Sequence, residues 1–267
     1  MIIEAIILGI LQGLTEFLPI SSSGHLVLAE WALGWKSGLM DNLAFDVALH
    51  AGTLVAVLWY FRRDWFQFGG AVIKVLRGNA PEYQARLVGY IALATIPAVI
   101  AGLRYEDMVE KVFRHPLLVA AALVAGSFIM WFADRHASQN RPLASMTLGH
   151  AVLVGVAQAV ALVPGISRSG ITISAALAAG YRREDAARFS FLLSTPIIAG
   201  AALFKLRHVT IEGHAAWGCI LGTLGAAVVG YLAIRFLIRY LEQHSLNIFV
   251  WYRLALAALA VLFWAVR

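Results

Sequence analysis

The chain has 267 residues, 61% of them hydrophobic and only 13% charged, about half the charged fraction of an ordinary soluble domain, and its mean hydropathy is +0.77; this is the composition of a membrane protein. The formal net charge of +6 suits contact with anionic lipid, and a nucleic-acid role is excluded because no polar domain exists to carry a groove-reading element. No Pro/Ser/Gly-rich linker divides the chain, so residues 1–267 read as one membrane domain.

The N-terminus lacks a basic start and carries Glu4 and Gln12, so it reads as retained structure and not as a cleaved signal peptide. Apolar spans follow at Ile2–Phe17, Phe45–Tyr60, Leu87–Leu103, Leu117–Ala133, Leu148–Val163, Ala186–Phe204, Trp217–Leu237 and Phe249–Val266. A full crossing takes about 20 residues. The stretches Ser21–Gly34 and Gly170–Ala179 are shorter, each follows a proline and a serine cluster, and each is expected to be a half-helix that enters the membrane without crossing. The segment Arg62–Arg86 holds five cationic residues and reads as a cytoplasmic loop, whereas the loop after Leu103 balances Arg104, Lys111 and Arg114 against Glu106, Asp107 and Glu110 and reads as external. The lone cysteine, Cys219, lies in an apolar run and reads as packing.

Sliding the chain by 146 positions lays "GILQGLTEFLPISSSG" (Gly9–Gly24) without gaps on "GVAQAVALVPGISRSG" (Gly155–Gly170). Gly9/Gly155, Gln12/Gln158, Ile20/Ile166, Ser21/Ser167, Ser23/Ser169 and Gly24/Gly170 are identical pairs, and "FDVALHAG" is weakly echoed by "FSFLLSTP". Duplicated membrane halves are commonly inverted about an axis in the membrane plane, with the site between them built from broken helices. The expected fold is therefore an all-α, polytopic membrane protein with an internal inverted repeat, halves at 1–133 and 134–267, and two re-entrant hairpins.

The two polar stretches share a backbone pattern and differ in chemistry. Gln12 and Glu16 stand one turn apart on one helix face, followed beyond Pro19 by Ser21, Ser22, Ser23 and His25; the second copy has Leu162 where the first has Glu16, and brings Arg168. Proline interrupts each helix and serine caps the next one. Helix starts, hydroxyls and a guanidinium together suit a phosphate or, better, a diphosphate. Arg168 would stabilise charge on a transferring phosphoryl group, while Glu16 and His25 supply a base and an acid. Buried ionisable groups in lipid need partners or water, so Glu16, His25 and Arg168 should line one hydrated cavity.

Plainer roles stand beside these. Glu16 could be a structural acid paired with a basic residue from another helix. His25 could be a satisfied interior histidine, and the serines could serve capping and close packing. His50, within a span, reads as packing or as a supporting hydrogen bond, and the remaining histidines show no ligand spacing. Attack by a serine and direct attack by water are both open. Inverted repeats also build secondary transporters, so a carrier or flippase for a phosphorylated lipid or anion is the alternative; phosphate release in detergent, without a gradient, separates the two.

"EFLPISSSGH" with the upstream Gln12 and "PGISRSGIT" resembles the undecaprenyl-diphosphatase family of the BacA type, and the likeness extends through "FSFLLSTP" to the late "YRLALA". The resemblance implies an enzyme of the cytoplasmic membrane, acting at its outer face, that removes the terminal phosphate of undecaprenyl diphosphate. That reaction recycles the lipid carrier of cell-wall precursors and confers bacitracin resistance. It implies Glu16, His25 and Arg168 as catalytic residues, with Ser22 the favoured nucleophile, and Gln12, Ser21, Ser23, Ser167, Ser169 and Thr172 as phosphate-binding neighbours. The expected partners are the polyprenyl diphosphate and membrane lipids; the oligomeric state, a homodimer included, is open. A divalent cation, Mg²⁺ or Ca²⁺, is the implied cofactor, with Glu16 as its ligand. Gln12 stands where many members carry glutamate, so such a cation would lean on diphosphate oxygens and water. Type 2 phosphatidic-acid phosphatases share "SSGH" and "SR" fragments but need a histidine and an aspartate after the arginine, which "SGITISAALAAG" lacks.

Overall fold

In lipid every backbone amide must be satisfied within the protein, which drives apolar runs into helices. The computed structural model describes residues 2–33, 43–80, 82–113, 115–206 and 215–266. Among them lie eleven α-helices: α1 (Ile2–Phe17), α2 (Ser22–Leu33), α3 (Leu43–Tyr60), α4 (Arg62–Leu76), α5 (Tyr83–Phe113), α6 (Pro116–His136), α7 (Leu148–Val160), α8 (Arg168–Ala178), α9 (Arg183–Leu206), α10 (Ala215–Leu241) and α11 (Asn247–Val266). The only extended pairing among the described residues is one isolated bridge, between Arg141 and Tyr181. Six helices, α3, α5, α6, α9, α10 and α11, are long and apolar enough to cross a membrane. The chain is an all-α, multi-pass membrane protein.

The remaining helices of the two duplicated stretches are short. α2 has 12 residues and α8 has 11, about 18 and 16 Å at 1.5 Å per residue against an apolar layer of about 30 Å. Gly34, which closes the first expected half-helix, lies outside the described residues; the second begins two residues early, at Arg168.

Two segments expected as loops are helical. Arg62–Arg86 contains α4, whose Phe68 and Ala71 are buried while Arg62, Arg63 and Gln67 are exposed. Arg, Asp, Gln, Gly and Lys interrupt its apolar residues every few positions, so no continuous apolar run marks it. The polar stretch after Leu103 continues α5 to Phe113, because Arg, Glu and Lys lower hydropathy without lowering helix propensity.

The two halves of the sequence interlock. α1 packs on α10 and α7 packs on α5, so the first helix of each duplicated stretch leans on a helix from the other half; α3 lies against α9 and α10, and α6 against α11 and α8. Small residues bring the backbones close, as is usual where membrane helices meet. A side chain at Gly9 would run into the Gly222 carbonyl, and one at the equivalent Gly155 into the backbone of Ala94. At one end of the bundle Arg188 pairs with Asp64, joining α9 to α4. There Arg183 Nε also meets Asp134 Oδ1 at 2.6 Å, while Asp134 Oδ2 accepts from the Leu246 amide at 3.0 Å.

Gly9→Ala should therefore cost about 1–3 kcal/mol through overpacking of α1 on α10. Gly70→Ala, in α4 with nothing within 4 Å of the added carbon, should be neutral or stabilising by up to about 1 kcal/mol through helix propensity. Thermal unfolding of the two variants in detergent, which should move in opposite directions, checks the pair.

Candidate active site

The site grows from one backbone device used twice. Ser21 and Ser167, equivalent in the repeat, have φ of 77° and 73°, the left-handed region that costs a non-glycine residue on the order of 1–3 kcal/mol. Local hydrogen bonds offset that cost. Ser21 Oγ accepts from the amides of Gly24 and Gly165, each at 3.2 Å, and Ser167 Oγ accepts from the Gly170 amide at 3.2 Å. Ser169 Oγ donates across to the Leu18 carbonyl at 3.1 Å. Each serine caps a helix start, and the residue after it, Ser22 in one copy and Arg168 in the other, is the first residue of α2 or α8.

A buried arginine fastens the two turns together. Arg253, 0% exposed, donates through Nη1 to the carbonyls of Pro19 (3.3 Å) and Ile166 (3.0 Å), through Nη2 to Gly165 (2.9 Å) and Leu123 (3.2 Å), and through Nε to Ser127 Oγ (3.1 Å). All five guanidinium N–H groups are thereby used. Gly126 makes room for it, since a side chain there would collide with Nη2.

In front of the turns lies a chamber of about 880 Å³, within the usual range for small-molecule sites. Gln12, Ser22, Ser23, His50, Gln158 and Arg168 form its polar end; Leu26, Phe45, Leu49, Val99, Leu103 and Phe204 are among its apolar walls. Glu16 is buried directly behind the polar end, bonded to three of its lining residues. Its Oε1 accepts from Arg168 Nη2 at 2.9 Å, and its Oε2 accepts from Ser22 Oγ at 2.8 Å and from Gln12 Nε2 at 3.1 Å. A hydroxyl hydrogen-bonded to a carboxylate is the arrangement of a nucleophile with its base. Nearby, His50 Nε2 lies 3.5 Å from Gln12 Nε2; its Nδ1 lies 2.9 Å from the Asp46 carbonyl and 3.4 Å from Asp46 Oδ1, and Lys205 Nζ sits 3.3 Å from Asp46 Oδ2.

The structure thus brings together Glu16, Ser22, Arg168, Gln12 and Ser23. It does not bring His25 to the chamber: Nδ1 lies 2.7 Å from the Ser21 carbonyl and Nε2 lies 2.7 Å from the Tyr252 hydroxyl, on which the ring stacks. A carbonyl only accepts, so Nδ1 donates to Ser21 and both ring nitrogens are engaged behind the turn. Ser21, Ser167, Ser169 and Thr172 are also buried away from the chamber. Three of them make the cap and cross-link bonds above, and Thr172 Oγ1 bonds the Arg168 carbonyl at 2.7 Å and Ser190 Oγ at 2.6 Å. Left-handed backbone at a capping serine turns its own hydroxyl inward and presents the next residue instead.

Sequence reading passed over Arg253 and Tyr252, and it gave Asp46, Lys205 and Gln158 no role. An arginine inside the apolar span Phe249–Val266 was a signal, as were the i, i+4 spacing of Asp46 and His50 and the pairing of Gln158 with Gln12 in the repeat. Among the described residues no three His, Cys, Asp or Glu side chains cluster as metal ligands. One carboxylate, Asp46, lines the chamber, paired with His50 and Lys205; Glu16, just behind the lining, already bears three donors, and beside it Gln12 Oε1 has no protein partner. That donor set fits a hard cation only if a ligand brings most of the oxygens.

The family model "Bacitracin resistance protein BacA" matches residues 5–259. The chain is 47% identical to the undecaprenyl-diphosphatase of Moorella thermoacetica, over 100% of this chain and 99% of that one. It is likewise 47% identical to those of Alcanivorax borkumensis, over 98% of each chain, and Rubrobacter xylanophilus, over 97% of this chain and 96% of that one.

Replacing Arg253 with methionine keeps the length of the side chain but strips the buried carbonyls of Pro19, Gly165 and Ile166 of a donor. We expect a loss of at least about 3 kcal/mol, read by thermal unfolding in detergent, with Arg253→Lys only partly restoring it because an ammonium cannot span the same acceptors. An unchanged melting temperature for the methionine variant would contradict the clamp.

Proposed function

The chain belongs to the bacitracin resistance protein BacA family, and we infer from that membership and from the chamber that it is an undecaprenyl-diphosphatase, converting undecaprenyl diphosphate and water to undecaprenyl phosphate and inorganic phosphate. One observation carries the assignment of the chemistry: Ser22 Oγ, Glu16 and Arg168 form a single chain of hydrogen bonds at the polar end of an apolar-walled chamber. The diphosphate suits the polar end and the prenyl tail suits the walls.

The sequence of events follows from charge. In the resting site Arg168 is held by Glu16. A diphosphate, more highly charged and able to accept both arms of the guanidinium, competes for Arg168 and leaves Glu16 able to take the Ser22 proton. Ser22 Oγ then attacks the terminal phosphorus, the bond to the bridging oxygen breaks, and undecaprenyl phosphate leaves, carrying away the proton that Glu16 took from Ser22. Water attacks the phosphoserine in a second step, giving a proton to the again ionised Glu16, which returns it to the departing Ser22 Oγ as inorganic phosphate is released. His25 acts at one remove, holding through the Ser21 carbonyl the turn that presents Ser22. A divalent cation, Mg²⁺ or Ca²⁺, would be held by the diphosphate with Glu16 and Gln12 Oε1, and would neutralise phosphate charge.

We read the two short helix pairs as re-entrant hairpins of an inverted repeat and place the enzyme in the cytoplasmic membrane with its chamber open to the outer side. The exchange of partners between halves supports the first reading. The distribution of cations supports the second: Arg62, Arg63, Arg135, Arg183, Arg188 and Arg239 gather at one end of the helices, whereas the chamber is reached past Leu43, Leu103 and Phe204 at the other.

The test is phosphate release from undecaprenyl diphosphate by purified protein in detergent. Arg168→Ala should lower kcat/KM roughly a hundredfold to a thousandfold, and Glu16→Gln on the order of a hundredfold to ten-thousandfold, with each protein still folded. Ser22→Ala should lose activity to a similar extent and should not become labelled with substrate phosphate. Wild-type rates in the Glu16 or Arg168 variant would refute the site, and full activity in the Ser22 variant would make water the direct nucleophile. Chelator should slow wild type if the cation takes part, and added Mg²⁺ or Ca²⁺ should restore it.

A further inference from the structure

Gln158 has no structural reason to be a glutamine. It lies on α7, 3% exposed, and lines the chamber, yet among the described residues neither its Nε2 nor its Oε1 has a hydrogen-bond partner. An amide buried without partners costs on the order of 1–3 kcal/mol, so a leucine would serve packing better. Its repeat equivalent explains how it came to be alone. Gln12 donates to Glu16 one turn later, whereas one turn beyond Gln158 stands Leu162, which also lines the chamber and accepts nothing.

We propose that Gln158 is a substrate-binding residue whose carboxamide is completed by the diphosphate: Nε2 donates to a phosphate oxygen of the bound lipid, and Oε1 accepts from the water that hydrolysis consumes. The proposal rests on the reading of the chamber as a diphosphatase site and adds to it a neutral donor from the second half of the chain. Arg168 supplies charge and is drawn toward Glu16 when the site is empty of anion. Gln158 has no such competitor, so its N–H groups stand ready for the phosphate. A neutral amide also adds no charge that would hold the inorganic phosphate back after the reaction.

The experiment compares wild type with Gln158→Leu and Gln158→Met, purified in detergent as full chains. Initial rates on undecaprenyl diphosphate and thermal unfolding with and without inorganic pyrophosphate are measured for each. Loss of a hydrogen bond to a charged phosphate predicts a kcat/KM lower by about tenfold to a hundredfold, with a melting temperature at or above wild type because a lone buried amide has been removed. Pyrophosphate should raise the wild-type melting temperature and raise that of the variants less. Variants that melt lower yet keep kcat/KM within twofold of wild type would make Gln158 a packing residue and overturn the proposal, as would failure of both variants to fold. If wild type releases no phosphate from undecaprenyl diphosphate, the enzymatic reading falls by itself. The pyrophosphate arm then decides alone: a shift in wild type that both variants lose keeps Gln158 as a diphosphate-binding group, and equal shifts, or none, reject it.

Discussion

Everything at the site hangs on one buried guanidinium. Two turns that leave their helices deep in a membrane protein expose carbonyls that water cannot reach, and each would cost several kcal/mol unpaired. Arg253 meets that demand from a third helix. Its donors reach Pro19 in one turn and Gly165 and Ile166 in the other, so both turns are fixed relative to each other by one planar group. A lysine, with a point charge and no fork, could not bind both. The approach is made possible by missing side chains: Gly126 admits the guanidinium, and Gly165 takes a φ of 102°.

With the turns fixed, the fold uses the same backbone twice and gives it different side chains. The left-handed serines at 21 and 167 each start a short helix and each deliver the next residue to the chamber. One copy delivers a hydroxyl, Ser22, and the other a cation, Arg168. The helices before them differ in the same way, since Glu16 in one is Leu162 in the other. The repeated stretches thus bring different side chains to one chamber. The partner exchange of α1 with α10 and α7 with α5 keeps the two copies face to face.

Charge in the chamber is paired before any substrate arrives. Glu16 sits against Arg168 and Asp46 against Lys205 and His50, which limits the desolvation cost of placing these groups among apolar helices. The pairing also makes the site responsive. On the proposed mechanism, an entering diphosphate displaces Glu16 from Arg168 by offering more charge and better geometry, and so frees the base. His25 stays outside this exchange, its imidazole spent on Ser21 and Tyr252.

Much of this was legible in the residues themselves. Hydropathy alone established a multi-pass helical protein, and the 146-residue repeat singled out both turns, because proline, serine and glycine act on the backbone locally. The meeting of Glu16 and Arg168 followed from chemistry, since a carboxylate and a guanidinium left in lipid seek each other; His25, expected beside them, lies behind the turn. α4 and the polar end of α5 escaped notice because helix formation there does not depend on a continuous apolar run. Tertiary structure alone decided which polar side chains face the chamber. His25, Ser167, Ser169 and Thr172 belong to the same motifs as Ser22 and Arg168, yet Ser167 is turned inward by its left-handed φ, and the other three, within α2 and α8, bond to Ser21 and Tyr252, to Leu18, and to Arg168 and Ser190. Arg253 and Gln158 gain their meaning only from neighbours far away in the chain: the first because two turns and α6 place carbonyls around it, the second because, among the described residues, nothing places a partner there. Local sequence governs dihedral angles and burial, but the partners of a buried polar group are set by how the helices pack.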